Sequence, residues 1–556
     1  MNGLMMDAPL LLSGLIEYAA EYHSGTGIVA RDIEGDIVRL NYAQSHRRIK
    51  QLAKGLRRLG VRATTRVASL AWSTHRHFEC FYAVTGIQAV LHTVNPRLYD
   101  EQIIYIINHA EDEFLLVDTA SLSIVERIAD RLPKIRNFII MAEAGRVPPN
   151  TLRDVIVYED VVAGEDGDFE WPSFDERSAS TICYTSGSTG NPKGVVYSHR
   201  ASMLQTMTNA TASWMPGTRN GVREVLMPVA PMFHGNAWNQ PFLCCYTGSK
   251  LVLPGRAFEP EKLFELIDGE QVSIAAAVPT VWMILTDWMK TIGKRPSALR
   301  LAMLSGSPPS RELMRTLVTD FNLDTFLNYG STEVLGGSAG TRVPLDAGTV
   351  IEDEMGERLR SGRAMFTPKI RIVDENGTSL PKDGVSKGHV QFKGTWVASG
   401  YLNGEGGSPL DSEGWFFTGD IGSIDSQGRI VISDRAKDIV KSGGEWISSQ
   451  ELEAAAASHP DVAHASVIGV PHPKWQERPL LIIIRKPGAQ VDADELLKHL
   501  AQRVAKWWLP DAIEFVDELP MTGTGKVHKP TLRAQYKDYK LAPEPAAKPQ
   551  AEVRLS

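Results

Sequence analysis

Positions 184–194 read Tyr-Thr-Ser-Gly-Ser-Thr-Gly-Asn-Pro-Lys-Gly, a run of small residues and hydroxyls with one lysine near its end. The apolar run 181–183 precedes it, and a second apolar run, 195–197, follows it. Glycines let the backbone approach an anion, and the amides, the hydroxyls and the Lys193 ammonium can all donate to phosphate oxygens. Because strand-like runs hold both ends, the stretch predicts an ordered phosphate-binding loop between two strands rather than a flexible linker.

A P-loop NTPase is the first alternative for this loop. Its Walker pattern, aligned so that the lysine falls on Lys193, requires glycine where Pro192 stands and Ser or Thr where Gly194 stands. Both positions differ, so the sequence disfavours a P-loop.

The composition is that of an ordinary globular protein, with 43% hydrophobic and 22% charged residues among 556. This length predicts several domains. The net charge of -7 provides no basic surface for nucleic acid, and no apolar run approaches the ~20 residues needed for stable membrane insertion. Four cysteines lack the spacing of a disulfide framework or a zinc ribbon, so we expect a reducing, cytoplasmic location.

Alternating helical and strand patterns predict an α/β fold. The alternation runs from about residue 43 to 140 and returns after the glycine-rich loop, from 225 to 328. We therefore expect a large N-terminal domain with two layered α/β subdomains whose sheets are largely parallel. Near residue 365 the pattern changes to short strands with turn signals at 374–377 and 425–428, which predict a small antiparallel, β-barrel-like subdomain.

A different pattern follows Arg435. Predicted helices at about 449–457 and 494–505 indicate a small α+β C-terminal domain. The tail from Ala542 is rich in Ala, Pro and Lys, and we predict it to be disordered.

Three further segments carry side chains suited to a nucleotide. The hexapeptide 328–333 follows a predicted strand and offers an aromatic face, two hydroxyls and a carboxylate. Asp420 follows an apolar run and Arg435 lies in a charge cluster, and an Asp beside an Arg can accept from ribose hydroxyls. The segment 522–526 is a second glycine-flanked lysine turn. Alone, the hexapeptide is equally consistent with a strand-end turn, and the usual alternative for the charge cluster is a surface salt-bridge cluster. The segment 522–526 by itself is more often an exposed turn.

The residues His75, His77 and Cys80 have a spacing that could suggest a metal site. They lie in one predicted amphipathic helix without a fourth ligand, so a packing or surface role is the better interpretation.

Taken together, these segments resemble the adenylate-forming enzymes, a superfamily of acyl-CoA synthetases, luciferases and peptide-synthetase adenylation domains. The resemblance spans residues 40–535, keeps the family's order, and implies binding of ATP, Mg²⁺ and coenzyme A. The implied nucleotide positions are Thr185, Ser186, Gly187, Ser188, Thr189, Gly190, Gly306, Ser307, Pro308, Tyr329, Gly330, Ser331, Asp420 and Arg435. The implied catalytic positions are Lys193, Thr332, Glu333 and Lys526, with Glu333 and Thr185 as the positions for Mg²⁺. The implied pantetheine loop holds Lys441, Ser442, Gly443, Glu445 and Trp446.

Within the superfamily, the segment 231–238 is similar to the acyl-pocket segment of medium-chain fatty acyl-CoA and methylmercaptopropionyl-CoA ligases. The implied pocket residues are His234, Gly235, Trp238, Val278, Leu335 and Gly336. For His234, a buried histidine in a strand-end turn remains an alternative. Ser331 departs from the family pattern, in which methionine is commoner at this position.

The resemblance implies a domain division and a reaction. We expect an N-terminal domain at 1–434, a hinge at 435–437 centred on Lys437, a mobile C-terminal domain at 438–541 and a disordered tail at 542–556. We expect an apolar carboxylic acid to react with ATP, giving acyl-AMP and pyrophosphate, and CoA then to release AMP. The acid would be a medium-chain fatty acid or a similar acid such as methylmercaptopropionate.

Three alternatives remain. An adenylate-forming enzyme could pass the acyl group to an acceptor other than CoA. An amino acid activator would need a carboxylate for the substrate ammonium, and the pocket segment 233–241 offers none. A phosphoryl-transferring NTPase would convert ATP to ADP, whereas a nucleotide sensor would not turn ATP over.

A homodimer is a general expectation for a soluble enzyme.

Overall fold

The structure of the protein is a computed structural model. It describes residues 1, 3–185, 191–211, 218–219, 222–337, 339–343, 351–443, 445–521 and 527–541. The tail predicted to be disordered, from Ala542, lies outside the described residues. The chain divides into two units, Met1–Thr418 with Gly422–Ile432, and Gly419–Ile421 with Ser433–Ser556.

The first sheet of the larger unit is almost entirely parallel. Among the described residues it has seven strands, and only its last pair is antiparallel. The strands follow one another across the sheet in the order Val155–Val157, Asn137–Ile140, Phe114–Val117, Arg66–Leu70, Val90–Val94, Ala179–Tyr184 and Gly194–Ser198. The last two strands flank the predicted phosphate-binding loop.

The second sheet has thirteen strands within the described part of the chain. Its parallel strands lie in the order Asp324–Tyr329, Leu301–Leu304, Ile274–Ala277, Val225–Pro228, Lys250–Leu253 and Gly27–Arg31, with Ile37–Asn41 antiparallel at the edge. Beyond Asp324–Tyr329 the sheet continues through Ala339–Val343, Gly362–Ala364, Arg429–Arg435, Phe416–Ile424, Gly388–Lys393 and Lys369–Val373. The predicted antiparallel strands therefore extend the second sheet.

Helices cover the two sheets, as the α/β pattern predicts. The α-helices of the larger unit are Ser13–Tyr22, Tyr42–Arg58, His75–Gly86, Asp100–Ala110, Leu122–Ile128, Tyr158–Ala163, His199–Thr211, Gln240–Thr247, Pro260–Gly269, Pro279–Ile292, Arg311–Arg315 and Ile351–Arg358. One apolar core joins strand residues of both sheets, such as Leu91 and Leu226, with these helices. The predicted α/β class is confirmed. No helix in the described ranges is both long and apolar enough to cross a membrane.

The smaller unit has its own sheet and core. Its strands are Val440–Ser442, Glu445–Ile447, Val462–His472, Gln476–Arg485 and Ala512–Phe515, and its helices are Ser449–Ala457, Ala493–Ala501 and Lys529–Gln535. The long hairpin of Val462–His472 and Gln476–Arg485 is the centre of this sheet. The two helices predicted at about 449–457 and 494–505 are present, the second ending four residues early.

Local sequence signals explain where several helices begin. The helix Tyr42–Arg58 starts with a complete capping box, in which the Asn41 side chain accepts from the Gln44 amide and the Gln44 side chain accepts in return. Ser448 caps its helix in the smaller unit, and Asp492 caps the next. Such caps satisfy amide groups that have no partner within the helix, so they fix its first turn.

The helix His75–Gly86 is not amphipathic, contrary to the sequence prediction, because every one of its residues is buried. Helices and strands of the same core surround it, so it has no solvent face. Both ring nitrogens of His77 have a hydrogen-bond partner. Nε2 lies 3.0 Å from Ser69 Oγ, and Nδ1 lies 3.0 Å from the Trp72 carbonyl oxygen. Burial lowers the pKa of His77 to about 4 and that of His75 to about 3.

These two histidines predict an acid-labile larger unit. Because each pKa is lower in the folded protein than in the unfolded chain, the unfolded chain binds more protons between the two values, and stability falls as pH falls. Acidification from pH 7 to pH 5 is expected to cost about 2 kcal/mol of unfolding free energy for each histidine. Urea unfolding across this range measures the slope of the unfolding free energy against pH.

Substituting His77→Gln is expected to remove about 2 kcal/mol of that cost, because glutamine does not titrate. His464→Gln, at an exposed position, is the matched control and should leave it unchanged. Equal slopes for His77→Gln and the wild type would contradict the prediction.

Candidate active site

The two strands beside the glycine-rich loop hold its ends together. Tyr184 pairs with Gly194 in the antiparallel ladder. The next pair is closed by two hydrogen bonds, from the Thr185 amide to the Lys193 carbonyl at 2.9 Å and from the Lys193 amide to Thr185 Oγ1 at 3.3 Å. Ser186, Gly187, Ser188, Thr189 and Gly190 lie outside the described residues. The predicted loop is therefore carried on a tight hairpin base.

The segment 329–333 lies directly beside that hairpin. It follows the strand Asp324–Tyr329, and Thr332 begins a short 3₁₀ turn. Tyr197, on the strand after the loop, donates its hydroxyl to the Thr332 carbonyl at 2.6 Å. Two segments that the sequence singled out separately are thus in contact.

Lys193 and Glu333 meet at one tyrosine. The Lys193 ammonium lies 4.9 Å from the centre of the Tyr401 ring, and the Tyr401 hydroxyl donates to Glu333 Oε1 at 3.0 Å. Burial, and then the Glu333 carboxylate, raise the pKa of Tyr401 above its usual range. The phenol therefore remains a hydrogen-bond donor at neutral pH.

These residues fit a magnesium ion that arrives with a triphosphate. Mg²⁺ prefers oxygen ligands and is commonly held by one or two carboxylates together with substrate phosphates. Glu333 supplies such a carboxylate, oriented by Tyr401, and Lys193 supplies a cation beside it for phosphate oxygens. The arrangement can bind a polyphosphate and a divalent cation side by side.

The predicted adenine segment, Gly306, Ser307 and Pro308, follows the strand Leu301–Leu304, next to the strand that carries Tyr329. The Asn328 amide group donates to Ser305 Oγ at 3.3 Å and to the Gly336 carbonyl at 3.0 Å. A β-carbon on Gly330 would lie 2.6 Å from the Gly337 amide nitrogen, so only glycine fits there. The Tyr329 ring stacks on Phe392 with centroids 5.8 Å apart.

The predicted acyl-pocket segment contains a left-handed turn. Gly235, Asn236, Ala237, Trp238 and Asn239 all have φ between 50° and 60°. Four of the five carry a β-carbon, and this conformation costs Ala237 and Trp238 roughly 1–2 kcal/mol each, whereas asparagine adopts it more readily. Strain of this kind is concentrated at functional sites, where surrounding contacts maintain it.

Buried side chains hold this turn in place. The Asn236 amide donates to Thr181 Oγ1 at 2.7 Å, and the Asn239 amide donates to Gln205 Oε1 at 2.7 Å. Thr181 belongs to the strand that leads into the glycine-rich loop. The turn is therefore fixed to the same strand as the predicted phosphate site.

Two predicted pocket glycines lie at the Trp238 side chain. A β-carbon on Gly336 would come 2.8 Å from Trp238 Cδ1, and one on Gly235 would come 3.7 Å from the same atom. Val278 packs at the edge of the core that contains Trp238. Leu335 packs in another cluster, with Cys183, Tyr197 and Trp396, and is fully buried. The His234 side chain is partly buried at the start of the turn.

In the smaller unit, Asp420 and Arg435 form an ion pair at 2.8 Å. Asp420 is 5% exposed at its side chain, whereas Arg435 is half exposed, so the pair presents its guanidinium to solvent. Lys437 follows directly, between Ala436 and Asp438, whose amides bond to the Gly419 and Arg435 carbonyls.

The predicted pantetheine loop is a hairpin in the smaller unit. The strands Val440–Ser442 and Glu445–Ile447 pair with Lys441 opposite Trp446 and Ser442 opposite Glu445. Gly443 has φ of 61°, and a β-carbon there would lie 2.7 Å from the Trp475 ring. Lys526 lies outside the described residues.

Sequence reasoning missed Tyr401 and Tyr197. Tyr401 follows a Ser-Gly pair in a glycine-rich stretch, which reads as an ordinary turn. Tyr197 is on a strand and reads as a core residue. Only the sheet order brings these phenols to Glu333 and Thr332.

Comparison with known proteins gives matches over most of the chain. The family described as AMP-binding enzyme matches residues 16–402, and the AMP-binding enzyme C-terminal domain matches residues 451–526. The chain is 41% identical to a medium-chain-fatty-acid–CoA ligase of Ectopseudomonas oleovorans, over 97% of this chain and 98% of that protein. It is also 41% identical to a 3-methylmercaptopropionyl-CoA ligase of Ruegeria pomeroyi, over 97% and 99%.

The fold is likewise similar to solved structures. The anthranilate CoA ligase AuaEII in complex with anthranoyl-AMP superposes with a TM-score of 0.82 at 22% identity, covering 96% of this chain and 98% of that one. MatB of Rhodopseudomonas palustris with bound ATP gives a TM-score of 0.79 at 24% identity, covering 95% and 100%. At 22% and 24% identity, the similarity to these two structures shows a shared fold. The family match and the relatives that are 41% identical show the family of the chain. The chain therefore belongs to the AMP-binding enzyme family.

Proposed function

We propose that this enzyme is an AMP-forming acyl-CoA ligase that activates an apolar carboxylic acid, such as a medium-chain fatty acid or methylmercaptopropionate. The observation that carries the proposal is the meeting of Lys193 and Glu333 at Tyr401, beside the hairpin that bears the glycine-rich loop. A cation and a carboxylate so placed suit a polyphosphate with its metal ion.

In the first step, a carboxylate oxygen of the acid attacks the α-phosphorus of ATP, giving acyl-AMP and pyrophosphate. Negative charge concentrates on the phosphate oxygens, so the protein's contribution is positioning and electrostatic stabilisation. Lys193 and the glycine-rich loop bind the β- and γ-phosphates, Thr332 binds the α-phosphate, and Lys526 bridges the acid and the α-phosphate. Glu333, with the Thr185 hydroxyl, would hold Mg²⁺, which would neutralise phosphate charge.

In the second step, the CoA thiolate attacks the acyl carbonyl and AMP leaves. We assign the hairpin of Lys441, Ser442, Gly443, Glu445 and Trp446 to pantetheine, and Lys526 to the first step only. Because both belong to the same predicted domain, 438–541, that domain rotates about Lys437 between the steps. Asp420 and Arg435 bind the ribose, and Gly306–Pro308 with Tyr329, Gly330 and Ser331 bind the adenine.

The acid is proposed to be apolar because Trp238, on the turn at 235–239, lies beside Gly235 and Gly336, and Val278 packs against the same apolar core. His234, which is partly buried, and Leu335, which is fully buried, are assigned to the same pocket.

A panel of carboxylic acids, assayed for pyrophosphate release with and without CoA, tests the function. Medium-chain and sulfur-containing short acids are expected to give AMP and pyrophosphate, and acyl-CoA when CoA is present. ADP as the product would favour a phosphoryl-transferring NTPase, and no turnover would favour a nucleotide sensor. Acyl-AMP without acyl-CoA would favour another acyl acceptor.

Gly336→Ala is expected to lower kcat/KM for the best acid by about 10- to 100-fold, because the added methyl displaces Trp238 and misplaces the acid. Its φ of 76° adds strain. Gly235→Ala is the matched variant, since φ is 51° there but the methyl has room. It should cost only a few-fold. Equal losses would contradict the assignment of this pocket.

We also propose a cytoplasmic location, from the cysteine pattern, and a homodimer, the commonest assembly among soluble oligomers. Light scattering during gel filtration tests the assembly.

A further inference from the structure

The loop that bears Tyr401 touches Lys193 at two points. The Tyr401 ring lies 4.9 Å from the Lys193 ammonium. Gly406, with φ of 75°, lies beside the same lysine, where a β-carbon would come 2.2 Å from Nζ. Both ends of the loop 401–406 therefore lie close to the end of the lysine side chain.

The same loop is anchored to the first α/β subdomain. Glu405 accepts from the Tyr105 hydroxyl at 3.2 Å and lies 3.3 Å from His109 Nε2, and the Asn403 amide donates to the His109 carbonyl at 3.0 Å. His109 Nδ1 in turn lies 2.7 Å from the hydroxyl of Tyr184, the last residue before Thr185. A continuous set of polar contacts thus runs from the base of the glycine-rich loop to the loop of Tyr401.

We propose that Tyr401 is a positioning residue that fixes the distance between the Lys193 ammonium and the Glu333 carboxylate, so that a metal-bound triphosphate can bind across them. The inference rests on the proposed function. The hydroxyl orients the carboxylate by one hydrogen bond, and the ring limits where the ammonium can lie. Hydrogen bonds to a ligating carboxylate commonly matter 10- to 100-fold for metal affinity.

Two substitutions separate the two contacts. Tyr401→Phe keeps the ring beneath Lys193 but removes the hydrogen bond to Glu333. Tyr401→Leu removes both. Tyr539→Phe is the matched control, because Tyr539 also donates to a glutamate, Glu514, at 2.7 Å, in a partly buried pair outside the predicted site.

The first measurement requires no turnover. Mn²⁺ binding is titrated by electron paramagnetic resonance on the full chain with α,β-methylene-ATP and no carboxylic acid. Tyr401→Phe is expected to raise the Mn²⁺ dissociation constant about 10-fold, with the affinity for the metal-free nucleotide analogue changed less than twofold. Tyr401→Leu is expected to weaken nucleotide binding as well, by a further few-fold.

The second measurement is the Mg²⁺ dependence of ATP–pyrophosphate exchange. For Tyr401→Phe the half-saturating Mg²⁺ concentration is expected to rise about 10-fold, with recovery of most of the rate at saturating Mg²⁺. A merely structural role would lower the rate at every Mg²⁺ concentration and lower the melting temperature. That result, or Mn²⁺ affinity in Tyr401→Phe equal to that of Tyr539→Phe, would overturn the proposal.

Failure of the proposed function is visible separately. If the wild type binds Mn²⁺ with the nucleotide analogue but forms no pyrophosphate with any acid, the ligase assignment fails while the Mn²⁺ titration still decides the role of Tyr401.

Discussion

Lys526→Ala is expected to lower acyl-AMP formation by about 100- to 1,000-fold, the loss that follows removal of one donor to the charge of a transition state. No other residue of the segment 522–526 carries a charge that could replace it. Thioesterification of supplied acyl-AMP is expected to remain within a few-fold of wild type, because the α-phosphate bond is already formed. ATP–pyrophosphate exchange and acyl-CoA formation from synthetic acyl-AMP measure the two steps.

The control for Lys526→Ala is Lys537→Ala, an exposed lysine of the same unit. It should leave both steps unchanged. Equal loss of both steps in Lys526→Ala would contradict the assignment of this lysine to adenylation, and would indicate general damage to the smaller unit.

Glu333→Gln is expected to lower ATP–pyrophosphate exchange by about 100-fold or more. Glutamine keeps the size of the side chain and an oxygen for the Tyr401 hydroxyl, so the local geometry is preserved. It removes the negative charge that a divalent cation requires of its ligand. Excess Mg²⁺ is expected to restore the rate only partly, which a titration of Mg²⁺ against rate would measure.

Glu413→Gln provides the comparison for Glu333→Gln. Glu413 is an exposed carboxylate paired with Arg371, and its loss should change the exchange rate less than twofold. A similar small effect at Glu333 would show that the metal ion is held elsewhere.

Much of the secondary structure follows from the sequence because its causes are local. Within the alternation predicted from 225 to 328, the helix Pro260–Gly269 begins with a proline. The strand Asp324–Tyr329 ends the same stretch, just before a turn. The sequence predicted a helix around His75, His77 and Cys80, which is present as His75–Gly86, but its amphipathic character was predicted wrongly. Burial on every side depends on the elements that pack around a helix, and these are distant in sequence.

The left-handed turn at 235–239 could not be read from the sequence. A single glycine begins it, and the other four residues adopt the strained conformation only because Thr181 and Gln205, distant in sequence, hold the two asparagine side chains.

By itself, the sequence determined the alternation of strands and helices, the glycine-rich loop with its lysine, and the carboxylate of Glu333, since each depends on neighbouring residues. The tertiary structure alone decided that Lys193 and Glu333 share Tyr401, and that Gly336 lies against Trp238. The physical reason is that these contacts join residues far apart in the chain, and the order of strands in the sheets, rather than any local pattern, brings them within reach.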